Sequence, residues 1–241
     1  MMLGKPRIRD GKDTQRPYPL NKIPKEYLNN IGKNIAYLIA IGERGLTGEK
    51  WEEIFANSIG GEQLGRSLGL ADVIKDDFSW SVKTVKSKNP HSQKTIRIIS
   101  GRNNVNFSYG IERPLDDIEL TGEAVISIFN ERLKTAKANF KDLTHSFLMR
   151  SDDLTHYTLF EKEAHEIEPK IINWTVNKNG NFEGHIDGEH RFTWQPDGSQ
   201  FTVIYSVPDS ALRFTIKKPD PLDFDTVIRE IGFNEDWIAI K

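Results

Sequence analysis

Apolar side chains recur at helical spacing near the start of the chain, at Ile23, Tyr27, Leu28, Ile31, Ile35, Leu38 and Ile39, which predicts a buried helix over residues 23–41. Gly42 and Gly45 break the pattern. Thr47 is placed as the N-cap of a second helix, with Glu49 near its start and Trp51, Ile54, Phe55 and Ile59 as its apolar face. After Gly60-Gly61 the runs become short or alternating, and residues 70–74, 78–85 and 95–99 read as three successive strands. Helical spacing returns at Val125, Ile128, Phe129, Leu133 and Ala136, a helix over residues 121–140. Residues 145–149 and 156–160 read as strands around a polar turn. The last third is β-rich, with strands at 171–176, 181–186, 190–194, 200–207 and 212–216 and a short closing helix at 223–231.

This order predicts an α/β (α+β) fold, a mixed central sheet flanked by helices with a β-rich C-terminal addition. The chain of 241 residues suits one domain. Residues 1–22 read as an extended basic arm, 23–150 as helical entry and core, and 151–241 as the β-rich part suited to recognition of a partner. Hydrophobic residues at 37% and charged residues at 28% fit a globular chain.

The net charge of −2 is uninformative, but its distribution is not. The arm carries Lys5, Arg7, Arg9, Lys12, Arg16, Lys22 and Lys25 against Asp10, Asp13 and Glu26. Between residues 81 and 111 stand Lys83, Lys86, Lys88, Lys94, Arg97 and Arg102 and no acid. The lack of cysteine excludes disulfides, thiolate metal sites and a cysteine nucleophile, so a metal must be held by oxygen or histidine. The first residues lack a signal-peptide core and no run is long enough to span a bilayer, so a cytoplasmic protein without membrane contact is expected. His145, His156, His165 and His185 lack zinc-site spacing, and Glu161 with Glu163 reads as an exposed acidic edge.

One lone acid, Asp72, interrupts the apolar run Leu70-Ala71-Asp72-Val73-Ile74. The next run, Phe78-Ser79-Trp80-Ser81-Val82-Lys83, alternates, so Ser81 and Lys83 share one strand face and Trp80 and Val82 the other. A hairpin of the two runs brings Asp72 to Ser81 and Lys83. Phosphodiester hydrolysis needs such groups: a carboxylate to hold Mg²⁺ and a cation near the attacking water or the phosphoryl oxygens.

These residues, and the order helix, three strands, helix, resemble the PD-(D/E)xK nuclease superfamily over residues 47–149. No proline precedes Asp72, and Ser81 stands where the family's acid-x-lysine triplet has an acid, a variant found in some type II restriction endonucleases. The resemblance implies a restriction-endonuclease-like core, Mg²⁺ as cofactor, double-stranded DNA as substrate, and catalysis by Asp72, Ser81 and Lys83 with an acid recruited from elsewhere. Glu52, beside Trp51, is preferred for that acid and for the metal over Glu53, Asp76, Asp77, Glu123 and Glu131.

Lys86, Arg102 and Asn103 follow the catalytic strand and are expected to contact the DNA backbone. His190, Arg191, Gln195 and Gln200 carry the paired donors and acceptors that read base edges, and they stand on a strand-turn-strand able to enter a groove. A homodimer matching a symmetric site is expected. A repair or recombination nuclease with the same site, and a non-catalytic DNA-binding module, are the competing readings.

Overall fold

The structure, a computed structural model, describes residues 16–240, so Lys5, Arg7, Arg9 and Lys12 of the expected arm lie outside the described residues. Two helices open it, α1 (Lys25–Ala40) and α2 (Gly48–Ile59). The hydroxyl of Thr47 accepts from the Lys50 amide at 3.2 Å, capping α2 as its sequence position predicts. Gly60, at φ 68°, ends α2 in the left-handed conformation.

Four strands follow, β1 (Glu62–Leu68), β2 (Ala71–Lys75), β3 (Phe78–Lys86) and β4 (Thr95–Arg102), then the short α3 (Val105–Tyr109) and the long α4 (Ile118–Asn139). The remaining elements are β5 (Asp142–Arg150), β6 (His156–Glu163), β7 (Asn173–Val176), β8 (Phe182–Ile186), β9 (Glu189–Gln195), β10 (Gln200–Ser206), β11 (Leu212–Thr215) and α5 (Phe224–Glu230).

The strands form two sheets. The first is six-stranded and mixed, in the order β1-β2-β3-β5-β6-β11, with β3 and β5 parallel at its centre. The second is five-stranded and antiparallel, β4-β10-β9-β8-β7. The fold is therefore the expected mixture of helices and sheet, with two differences. Only β2 and β3 of the three successive strands pair; β4 leaves to join β10, and β5 takes the place beside β3. The burial pattern explains this: β5 is buried almost throughout, as a central strand must be, whereas β4 alternates exposed and buried residues. The C-terminal part also does not stand apart, because β4 completes its sheet and β11 returns to the edge of the first. β1 and α3 carry no clear periodicity and were not foreseen.

The first sheet separates two cores. Val73, Trp80, Val82 and Leu148 pack with Ile31, Ile35, Trp51 and Phe55 of α1 and α2. Toward the other side, Phe147, Met149 and Phe160 pack with Ile96 and Ile98 of the second sheet. Beside them Phe129 and Leu133 of α4 pack with Phe192, Trp194 and Phe201. Among the described residues no helix is long and apolar enough to cross a membrane.

Residues 16–22, expected to belong to an extended basic arm, are docked on the first sheet. Tyr18 is buried and its hydroxyl donates to Glu161 Oε1 at 2.7 Å, an oxygen that also accepts from Trp80 Nε1 at 3.2 Å. Asn21 donates its amide to Glu161 Oε2 and accepts from the Glu161 amide. Glu161 is thus not an exposed acidic edge but 1% exposed, and burial raises its carboxyl pKa above the ordinary value. A buried carboxyl is tolerated only when donors reach it, and the arm supplies them. Tyr18→Phe is expected to cost about 1–3 kcal/mol in denaturant unfolding, because it leaves a buried acceptor short of a donor; an unchanged midpoint would show that the docking contributes nothing.

Candidate active site

β2 and β3 form a hairpin whose turn holds Asp76 at φ 52°, and the register Val73↔Trp80 sends both of these side chains into the helix-facing core. By alternation Asp72, Ser81 and Lys83 emerge on the opposite face. Asp72 is only 5% exposed. Its Oδ2 accepts from the Val82 amide at 2.9 Å, from Ser81 Oγ at 3.3 Å and from Lys83 Nζ at 2.5 Å. A carboxylate so buried needs charge and hydrogen bonds around it, and β3 provides a cation, an amide and a hydroxyl from three consecutive residues.

Glu52 reaches the same lysine from α2, with Oε1 at 3.8 Å from Lys83 Nζ. Gln63 Nε2 donates to Glu52 Oε2 at 3.4 Å and to the Glu49 carbonyl at 3.3 Å, tying the glutamate to both α2 and β1. β1 is irregular at this level: the ladder pairs Gln63 with Val73 and resumes only at Leu68↔Ala71, so it is interrupted opposite Asp72. Burial, then the charge of Asp72, raise the Glu52 pKa; Lys83 and the Gln63 hydrogen bond pull it back in part.

The other acids are not brought here. Glu53 pairs with Lys50 at 2.6 Å on the exposed side of α2. Asp76 and Asp77 lie at the turn of the hairpin, and Glu123 and Glu131 are exposed on α4.

A cleft of about 190 Å³ opens over this group, lined by Asp72, Ser81 and Lys83, by Ile99, Ser100 and Gly101 of β4, by Gly69 and Leu70, and by Arg132 of α4. Arg132 Nη1 donates to the Ser100 carbonyl at 3.0 Å. Burial lowers its pKa and the charge of Asp72 opposes that shift, but a guanidinium remains charged. Two glycines make room for it. A Cβ on Gly101, at φ 140°, would stand 2.1 Å from the guanidinium, and one on Gly69, at φ 64°, would stand 2.1 Å from the Arg132 carbonyl oxygen.

Arg132 was missed from the sequence. Its signal is spacing: Val125, Phe129, Arg132 and Ala136 share one helical face, and an arginine stands in an otherwise apolar stripe. A larger cleft of about 570 Å³ lies elsewhere, by His91, His156, Asp152 and Asp153, away from this cluster. Among the described residues no group of three or more His, Cys, Asp or Glu is arranged to hold a metal ion.

Three of the expected DNA contacts fall in one row. Gln195 pairs with Gln200, and Gln200 with Arg102, across three adjacent strands at the end of the second sheet nearest the cleft. They share the face opposite Trp194 and Phe201, whose side chains enter the core. The next row on that face is Thr193, Thr202 and Ile99, with Arg97 Nη2 donating to Thr193 at 2.7 Å.

His190 and Arg191 lie farther along β9 and are engaged locally. His190 Nε2 is 2.8 Å from the Phe192 carbonyl, and Arg191 pairs with Glu189 and Ser206. Lys86 is exposed beside Asp152 at 2.5 Å. Asn103, expected at the DNA backbone, lies in the interior instead. It is fully buried, its Nδ2 donates to the Val125 carbonyl at 2.8 Å, and its own carbonyl accepts from Trp194 Nε1 at 3.0 Å. The segment Ser100-Gly101-Arg102-Asn103-Asn104 is not an open turn: it ends β4 and caps α3 through Asn104, so Asn103 fastens β4 to α4.

No protein-family model matches the chain, and no curated protein or solved structure gives a significant match.

The raised pKa of Glu52 fixes a sign. The folded protein holds this proton more tightly than the unfolded chain, so the contribution of Glu52 to stability is fully present below the ordinary glutamate pKa and is lost as pH rises through the folded value. Glu52→Gln in the presence of a chelator is therefore expected to raise the melting temperature relative to wild type at pH 8 and not at pH 4. Equal effects at the two pH values would mean that the carboxylate is not strained by its surroundings.

Proposed function

We propose that the protein is a Mg²⁺-dependent endonuclease of double-stranded DNA, of the PD-(D/E)xK type and of the site-specific kind found among type II restriction endonucleases. One observation carries the reading: Lys83 Nζ lies at 2.5 Å from Asp72 and 3.8 Å from Glu52, so a lysine that lines the cleft with Asp72 also meets a second carboxylate from a neighbouring helix. Glu52 is then the acid that Ser81 does not supply.

The donor set suits magnesium. Mg²⁺ keeps several waters and is commonly held by one or two carboxylates together with substrate phosphates. Asp72 and Glu52 would be the protein's share, with the Ser81 hydroxyl beside them. When bound, the ion supplies Lewis acidity toward the phosphoryl oxygen and lowers the pKa of water. Lys83 orients the attacking water and offsets charge developing on the phosphate oxygens. Arg132 adds a second fixed cation in the cleft.

The row Arg102, Gln200 and Gln195 carries bidentate donors and acceptors of the kind that read purine edges, and it extends from the strand that lines the cleft. Lys86 adds affinity for the backbone without sequence information. Cleavage of both strands at a symmetric site calls for a homodimer, acting on DNA in the cytoplasm.

Incubation with plasmid and phage DNA in Mg²⁺ is expected to yield discrete fragments of fixed ends. Lys83→Ala should lower the rate by about 10²–10³-fold or more, the usual loss on removing a charge-stabilising donor. Gln195→Ala should relax the site preference at one position while cutting persists. Intact DNA on every substrate, or a Lys83→Ala protein that cuts as wild type, would overturn the proposal. Nicks only at mismatches would assign the same chemistry to repair. Salt-sensitive binding without metal, unchanged by Asp72→Asn, would assign the protein to non-catalytic DNA binding.

A further inference from the structure

A third cavity, of about 420 Å³, lies where β5 and β6 of the first sheet face α4 and the inner side of the second sheet. Its volume is within the roughly 300–1,000 Å³ of small-molecule sites. Phe129, Phe192 and Val203 line it, and two polar side chains join them, His145 and Tyr205. His145 is 5% exposed, with its ring against Phe147 at 5.7 Å and 16° and against Tyr205 at 5.7 Å and 52°.

Among the described residues neither the imidazole nitrogens of His145 nor the Tyr205 hydroxyl has a hydrogen-bond partner, although both groups sit at the cavity wall. Tyr205 is half-buried, and the polar ends of both side chains open into the cavity and are not sealed in the core, so they are available to hydrogen-bond an occupant. Burial brings the His145 pKa down to about 3, so the ring is neutral and offers one donor and one acceptor.

The charged rim argues for a neutral occupant. Arg191 is paired with Glu189, His165 lies 3.4 Å from Glu163, and Glu166 lies 3.6 Å from Lys134; Lys162 is the remaining cation of the described rim, a single charge and not a cluster built to take a phosphate. Aromatic walls favour a planar ring, and a donor-acceptor pair from His145 with a hydroxyl from Tyr205 favours a ring with both kinds of group on its edge.

We propose that this cavity binds a nucleobase, held at its polar edge by His145 and Tyr205 and packed against Phe129 and Phe192. The inference goes beyond the nuclease reading and does not depend on it. The base can arrive as a free nucleoside or as a base turned out of a nucleic-acid strand. The cavity lies on the same side of the first sheet as the cleft, since His145 pairs in register with Ser81, and Phe129 stands about one turn of α4 before Arg132.

The test uses the full chain with two sets of probes. Adenosine, guanosine, cytidine and thymidine are titrated by calorimetry, and 2-aminopurine is followed by fluorescence as the free nucleoside and as an unpaired position in a duplex oligonucleotide. Saturable binding of a nucleoside identifies the free source, and quenching only in the oligonucleotide identifies the strand. In either arm His145→Phe, which keeps an aromatic ring, should weaken binding by about tenfold or more, and Tyr205→Phe by a smaller factor. Glu53→Gln, on the exposed side of α2, should leave it unchanged. No binding in either arm, or binding that both aromatic variants retain, would overturn the proposal. Nucleoside binding by a protein that cuts no DNA would remove the nuclease reading and leave this one standing.

Discussion

A nearly buried carboxylate on the hairpin of β2 and β3 constrains everything around it. Asp72 lies in the interior at 5% exposure, and its charge is tolerable there only because β3 returns an amide, a hydroxyl and an ammonium to one of its oxygens. The period of two along β3 makes this possible. Trp80 and Val82 close the core against α1 and α2, while Ser81 and Lys83 are released to the other face for Asp72. A slip of one residue in register would bury the lysine among aromatic rings and turn the tryptophan out, so core and cleft enforce the same pairing.

The second consequence is electrostatic. Glu52 adds a negative charge that its surroundings resist, and Lys83 with Arg132 compensates for the two acids. Holding like charges together costs stability, and such costs concentrate where chemistry is done. The second sheet takes part as well. β4 lines the cleft with Ser100 and Gly101 and then pairs with β10, so backbone hydrogen bonds tie the row of Arg102, Gln200 and Gln195 to a strand that lines the cleft and not to a loose loop. Asn103 secures that junction from within, with Val125 and Trp194 as its partners.

Much of the site was legible in the sequence because its signals are local. A lone acid in an apolar run, followed by an alternating strand, is enough to place Asp72, Ser81 and Lys83 together, and the adjacency of Glu52 to Trp51 is enough to prefer it over the other acids. The helices were legible through spacing and through the cap at Thr47. What escaped depends on partners distant in sequence. β4 reads as the neighbour of β3 until its one-sided burial and its pairing with β10 are seen. Glu161 reads as exposed until Tyr18, Asn21 and Trp80 close on it from other parts of the chain. Asn103 has the composition of a recognition residue, and only the tertiary placement of Val125 and Trp194 makes it structural. Arg132 left a trace in its helical stripe, but its role rests on Gly69 and Gly101, two separate segments that keep clear of its backbone and its guanidinium.

If Asp72 and Glu52 act as one acidic pair, they should share a cation whatever the substrate. Calorimetric titration of the full chain with Mg²⁺, and with Mn²⁺ as a more tightly held substitute, measures this without DNA. The account predicts saturable binding that Asp72→Asn abolishes and Glu52→Gln weakens, while the exposed variant Glu53→Gln leaves it as in wild type. Binding that survives both of the first two substitutions, or none at all in wild type, would contradict it.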